Sequence, residues 1–200
     1  MAIRFQYNKT SLTELDKELK MRVRALPTIK SKESALRLEV KKAKEMAAEY
    51  ADRLNELLSR YSYMTAMWGE FDPGLLRIRD VELSVIKIAG VRIPVLNRIL
   101  FEEKPYDLFS TPLWFAEGIA LLEQLAQLGV EGEFYTQKMR LLDHARKRTT
   151  QKVNLYEKVQ IPGYENAILK IKRFMEDEEN LSKSAQKIVK SRHEREEAAS

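Results

Sequence analysis

Few side chains in this sequence are of a type and spacing that could exchange protons, hold a metal or attack an electrophile. The two histidines, His144 and His193, stand in helical stretches without the His-Glu-x-x-His spacing or the His and Cys combinations that ligate zinc. A solvated or interfacial histidine is the plainer reading of each. Carboxylates are abundant, as in Glu102-Glu103 and the run Glu176-Asp177-Glu178-Glu179, but acid–base catalysis needs a pocket that drives one pKa away from its neighbour. A charge run along a narrow helix is a solvated face. The 7 glycines form neither a Gly-x-x-x-x-Gly-Lys-Ser/Thr loop nor Gly-x-Gly-x-x-Gly, so no phosphate cradle is predicted. Zero Cys removes a thiol nucleophile, disulfides and thiolate metal sites, and fits a reducing compartment. These residues therefore assign no catalytic group, no cofactor and no metal ligand.

Two basic clusters, Lys41-Lys42-Ala43-Lys44 and Arg146-Lys147-Arg148, are of the type that contacts phosphates. They lack an accompanying reading helix, stacking aromatics or zinc frame, so the lysines and arginines read as the flanks of a helix pair and no nucleic-acid partner is expected. Trp68 and Trp114 bracket the middle of the chain, where core packing is favoured over a ligand platform. The net charge of +5 is unevenly spread: residues 1–44 carry +7, 45–137 carry −7, 138–175 carry +7 and 176–200 carry −2. If the two basic stretches meet in space, one end of the molecule is a positive surface suited to an acidic partner.

The elements that would position these charges are long helices. Charged residues make up 32% of the 200, against 7 Gly and 6 Pro, a composition of solvated helices more than of a loop-rich catalytic fold. Ser11-Leu-Thr-Glu14 has the form of a capping box and predicts a helix start there. From Leu12 a strict 3-4 spacing reaches Met64, and of its sixteen positions only Arg22 and Glu33 are not apolar. A seam sustained over so many heptads predicts a supercoiled helix. Pro27 falls inside it without disturbing its phase, which predicts a kink and not a break.

Between residues 69 and 112 the period changes. Gly69 and Asp72-Pro73-Gly74 mark a turn, and Val81, Leu83 and Val85 alternate with polar residues. Beyond Ala89-Gly90 come Val91, Ile93 and Val95, so a β-hairpin is predicted whose second strand tolerates Pro94 as an edge. Because it lies outside the helical seams, the hairpin is expected to be separable from the helix packing. A short helix over Leu113–Leu128 is predicted to end at Gly129 and Gly132. A second long helix follows from about Phe134, with Ala167, Ile171, Phe174, Leu181, Ala185 and Ile188 on one seam. Upstream, Leu142, Thr149, Val153 and Tyr156 form a stripe in a different phase, and the join at Ile161-Pro162-Gly163 predicts a kink. The expected fold is mainly α, a long antiparallel two-helix coiled coil with a small central head containing the hairpin. Its parts are residues 1–67 as the N-terminal shaft helix, 68–132 as the head and 133–200 as the C-terminal shaft helix. The first residues carry no apolar leader and no run of about 18 apolar residues occurs, so neither a signal peptide nor a membrane span is expected and the cytoplasm is the expected compartment.

Several stretches resemble the D subunit of V-type and archaeal A-type ATPases and ATP synthases. Asn8-Lys9-Thr10 with Leu12, Leu15 and Leu19, then Lys30-Ser-Lys32-Glu33-Ser-Ala-Leu36, is similar to that family's opening helix. Lys152-Val153-Asn154, Glu157, Ile161-Pro162, Glu165, Ile168 and Ile171-Lys172 resemble its second helix, the more specific match. Val85 to Pro94 is similar to its hairpin, and Thr111-Pro112-Leu113 to the segment after it. The resemblance implies a non-catalytic rotor shaft whose paired terminal helices enter a hexamer of A and B subunits. Its other end would meet the F subunit and the membrane-ring adaptor subunit, peripheral to the membrane. It also implies partner-binding roles for Lys30, Lys32, Lys152, Asn154 and Glu157. A coiled-coil scaffold unrelated to ATPases is the competing reading of the same seams.

Overall fold

A computed structural model describes residues 3–72, 74–107 and 111–197. In chain order they form helix α1 (Lys9–Arg60), a 3-10 segment (Ser62–Glu70), strands β1 (Leu76–Ile88) and β2 (Val91–Glu103), helix α2 (Trp114–Asn154), a π-helical turn (Leu155–Gln160) and helix α3 (Ile161–Glu197). The fold is mainly helical with one antiparallel hairpin, as the residue periods imply. Pro73, within the predicted turn, lies outside the described residues. Packing divides into two units, one of residues up to Ser31 with those from Thr150, the other Lys32–Thr149.

In the first unit α1 starts earlier than the Ser11 motif implies. Asn8 caps it: the Ser11 N–H donates to Asn8 Oδ1 at 2.7 Å, while Ser11 Oγ accepts from the Gln6 N–H at 3.3 Å. An Asx cap with a serine three residues on satisfies the free N–H groups of the first turn as a capping box does, shifted by one turn. Leu15 packs with Ala167, Ile168 and Ile171, flanked by Leu12, Leu19, Tyr164 and Met175, and Ile3 and Phe5 close over the same cluster. Contacts run from Leu15 with Ile171 to Lys30 with Glu157, so the two helices are antiparallel here. Pro27 is exposed inside an unbroken α1, where water can serve the carbonyl that proline leaves without a donor. The seam of α3 is covered only in its first part: Ile171 is fully buried, whereas Leu181 is 72% and Ile188 57% exposed.

In the second unit the rest of the α1 seam meets α2 and the hairpin. All sixteen seam positions from Leu12 to Met64 are buried or half-buried, Arg22 and Glu33 included. Helix α2 does not stop at Gly129 and Gly132 but runs through both to Asn154. An internal glycine costs about 1 kcal/mol relative to alanine, which the packing of a 41-residue helix outweighs. Neither glycine is required by its surroundings, since a Cβ at Gly129 would meet nothing within 4 Å and one at Gly132 would make an ordinary 3.6 Å contact with the Tyr50 Cβ; Tyr50 stacks on Tyr135 at 5.4 Å between ring centroids. Trp68, Phe71, Trp114 and Phe115 form an aromatic box, with Trp68 edge-on to Trp114 at 5.6 Å. The tryptophans are thus packing residues.

The hairpin turns at Ala89-Gly90, with φ of +52° and +86°, the paired left-handed conformation of a two-residue turn that matches strand twist. Its strands are longer than the alternation alone implies, because bulges between Ile78 and Asp80 and between Glu82 and Leu83 interrupt the period. Nor is the tip separate from the helices. Ile93 is completely buried against Leu36, Ala43 and Leu142, with Ile88 and Val91 beside it. The expectation of a separable hairpin fails here because one β-branched side chain fills the helix interface.

Candidate functional site

The residues singled out for partner binding lie mostly around the π-helical turn. Its geometry follows from Pro162. A proline has no N–H and its ring clashes with the carbonyl four residues earlier, here that of Lys158. Widening the helix moves that carbonyl away, and the Ile161 N–H reaches the Tyr156 carbonyl five residues back. Residues facing inward recur at 153, 156, 160, 164, 167, 171 and 175, a mean spacing close to the roughly 3.6 residues of a helical turn, so the stripe continues through the π-turn into α3. At the site of the predicted kink, Ile161-Pro162-Gly163, the structure has a π-turn leading directly into α3.

Two polar side chains of α1 clasp the turn. Lys30 Nζ donates to Glu157 Oε1 at 2.8 Å, each side chain about half exposed. Arg22, one of the two polar interruptions of the seam, donates through Nε to Gln160 Oε1 at 2.8 Å and through Nη1 to the Glu18 carbonyl at 3.0 Å, and pairs with the Glu18 carboxylate. Its guanidinium also lies 4.5 Å from the centroid of the Tyr164 ring. Burial pushes the Arg22 pKa down, but the Glu18 hydrogen bond and the field of Tyr164 outweigh it, so the net shift is upward. Arg22 stays charged throughout. Glu33, the other interruption, accepts from Arg37 Nη2 at 3.3 Å.

Of the five residues proposed from sequence, the fold brings together Lys30 and Glu157. Lys152 Nζ stands 5.8 Å over the Tyr156 ring. Asn154 precedes the π-turn with no side-chain capping bond and is exposed. Lys32 is exposed in the second unit. Arg22, Gln160 and Tyr164 belong to the clasp but were not among the five. Only Arg22 left a sign in the sequence, as a cation on an apolar seam.

Elsewhere in the second unit an open apolar groove of about 820 Å³ is lined by Trp68, Phe71, Leu76, Phe101 and Leu122. Asp143 accepts from Arg146 at 2.7 Å and pairs with Lys147 at 2.9 Å; these two bonds, Lys147 first, hold its pKa below the usual aspartate value against a small burial cost. Among the described residues no three His, Cys, Asp or Glu side chains converge as a metal would require, and no helix is long and apolar enough to cross a membrane.

A long apolar seam shared by antiparallel helices, an inserted hairpin and a polar clasp at a π-turn define a coiled-coil protein whose distinctive side chains address other helices. Comparison with known proteins gives the particular family. The family described as the ATP synthase D subunit matches over residues 11–191, and the chain belongs to that family. It is 30% identical over 190 residues to the V-type ATP synthase D subunit of Borreliella burgdorferi, covering 94% of each chain. It is also 30% identical over 202 residues to the V-type ATP synthase D subunit of Chlamydia muridarum, covering 96% of this chain and 97% of that one. The corresponding D subunit of Chlamydia caviae is 30% identical over 188 residues, 87% of this chain and 88% of its own.

Proposed function

We propose that this chain is the central rotor shaft of a V/A-type rotary ATPase or ATP synthase, a non-catalytic subunit that couples nucleotide chemistry in an A/B hexamer to ion translocation through a membrane ring. The observation that carries the reading is the open continuation of the α3 seam. Leu181 and Ile188, 72% and 57% exposed, extend a stripe whose first members, Ala167 and Ile171, are buried with Leu15 of α1, and they offer that stripe to a further apolar surface. In this reading residues 1–67 and 133–200 make the shaft, 68–132 the head, and the F subunit and ring adaptor bind away from the hexamer, on the cytoplasmic side. A shaft that presents different faces to equivalent nucleotide sites biases each toward a different state, which is the differential contact that coupling requires. Lys32, Lys152 and Asn154 are the exposed polar residues proposed to meet the hexamer, while Lys30 and Glu157 set the local path of the shaft.

The test is binding of the full chain to a reconstituted A/B hexamer. Leu181→Asp is expected to weaken binding at all salt concentrations, because the seam contact is apolar. Lys32→Glu is expected to weaken it at low salt and by less at high salt, because exposed charges are screened. Normal binding of both variants would refute the shaft reading.

A further inference from the structure

We propose that residues 3–7 act as a latch, an extended strap that ties the first turns of α1 to α3 and opens independently of the helices. Apolar and polar residues alternate along it: Ile3 and Phe5 are half-buried, whereas Arg4 and Gln6 are exposed, the pattern of an extended segment with one face against a surface. That surface is the cluster of Leu15, Ala167, Ile168 and Ile171. Two contacts fix how the strap lies. Ile3 Cδ1 sits over Gly163, where a Cβ would come within 3.1 Å of it, and the Tyr7 ring lies 4.8 Å from that of Phe174. From Ile3 to Tyr7 an extended chain covers about 14 Å at about 3.4 Å per residue, and from Gly163 to Phe174 a helix covers about 16 Å at about 1.5 Å per residue. The two lengths agree, so the strap runs extended beside α3. It then reverses into α1 at Asn8, whose N–H donates to the Gln6 carbonyl at 3.0 Å, while the Gln6 N–H donates to Ser11 Oγ at 3.3 Å.

The seat and the fastening of the strap set its behaviour. A glycine inside a helix lowers its stability relative to alanine, but at position 163 the space that a side chain would enter is held by Ile3. Gly163 therefore gives the strap its seat. Among the described residues no backbone hydrogen bond joins the strap to α3, so side chains alone hold it there, and Tyr7 and Phe174 are 50% and 44% exposed. Ordering five residues opposes these few contacts, which places the strap among the segments that open locally while the helices stay folded. Closed, it covers the cluster around Leu15 and Ile171 and fastens the start of α1. Open, it leaves the turns around Leu12 and Leu15 free to fray from α3. The latch sits where fastening matters, because beyond it the α3 stripe is exposed at Leu181 and Ile188.

The native sequence has no Cys, so Arg4→Cys and Glu178→Cys, both at exposed positions, place one spin label on the strap and one on α3 of the full chain. Position 178 lies roughly 22 Å along the helix from Gly163, within the range of pulsed electron–electron resonance. The expected result is one narrow distance, broadened when Ile3→Ser and Phe5→Ser are added. Gly163→Val, which fills the seat, should broaden it with Ile3 and Phe5 intact. Amide hydrogen exchange then reads the consequence without labels: in the Ile3→Ser, Phe5→Ser chain, exchange over residues 12–19 should quicken about tenfold while that over residues 36–43 stays as in the native chain. A broad distance in the native strap, a distance indifferent to both sets of substitutions, or unchanged exchange over residues 12–19 would each overturn the latch. None of these measurements involves the hexamer, so the shaft reading stands or falls separately.

Discussion

Arg22 occupies a seam position where an apolar residue would pack, and its donors are engaged with Glu18 and Gln160 while its flat face rests on Tyr164. Replacing it tests whether it stabilises the helix pair or mainly fixes its register. Arg22→Ala leaves partly buried acceptors without a donor and should cost about 1–3 kcal/mol in chemical denaturation. Arg22→Leu restores the apolar seam, and a well-packed apolar replacement of a buried polar group is often neutral, so it should cost clearly less than the alanine variant. Asp143 gives a pH test. Because its folded pKa is depressed by Lys147 and Arg146, its contribution is present above the ordinary aspartate pKa and is lost as pH falls through the lower folded value. Asp143→Asn should therefore be less stable than the native chain at neutral pH, by about 1 kcal/mol or less, since Lys147 is exposed although Asp143 and Arg146 are partly buried. The gap should close in acid, as read from urea melts across that range. At this scale the sequence showed Arg22 as an exception but not its partners, which lie 138 residues away for Gln160 and share no local pattern with it.

Elements show more clearly what periodicity can and cannot foretell. The α1 seam and the hairpin turn were legible, since one depends on a repeat and the other on residues that accept positive φ. The run of α2 through Gly129 and Gly132 was not, because a glycine that can end one helix costs only about 1 kcal/mol inside another, and the tertiary packing that outweighs this cost leaves no local mark. The π-turn was visible indirectly, as a proline inside a helical stretch. If Pro162 sets it, Pro162→Ala should let the Ile161 N–H, which bonds the Tyr156 carbonyl, return to an α-helical partner, read as altered amide hydrogen exchange over residues 155–161. Exchange there unchanged by the substitution would show that the proline does not set the turn. In the hairpin, Ile93→Ala should destabilise the protein by about 2–5 kcal/mol, whereas Val85→Ala on the outer face should change stability by less than about 0.5 kcal/mol.

At the scale of the molecule, the two seams and the inserted hairpin were enough to suggest the fold class, and the resemblance of motifs such as Lys152-Val153-Asn154 and Ile161-Pro162 suggested the family that the comparisons then established. For the five positions proposed to bind partners, an exposed lysine on a helix looks the same in sequence whether it meets water, its own chain or another subunit; Lys30 pairs with Glu157 within the chain, each side chain still about half exposed. The shaft reading requires that the whole chain turn relative to the hexamer as a consequence of nucleotide chemistry. The most direct measurement fixes the A/B hexamer to a surface and attaches a single probe to this chain through Tyr63→Cys, a position 66% exposed, in the otherwise Cys-free sequence. With ATP supplied, the account predicts unidirectional rotation of the probe in steps of one third of a turn, one for each nucleotide site. A probe that stays fixed to the hexamer while ATP is hydrolysed would contradict it.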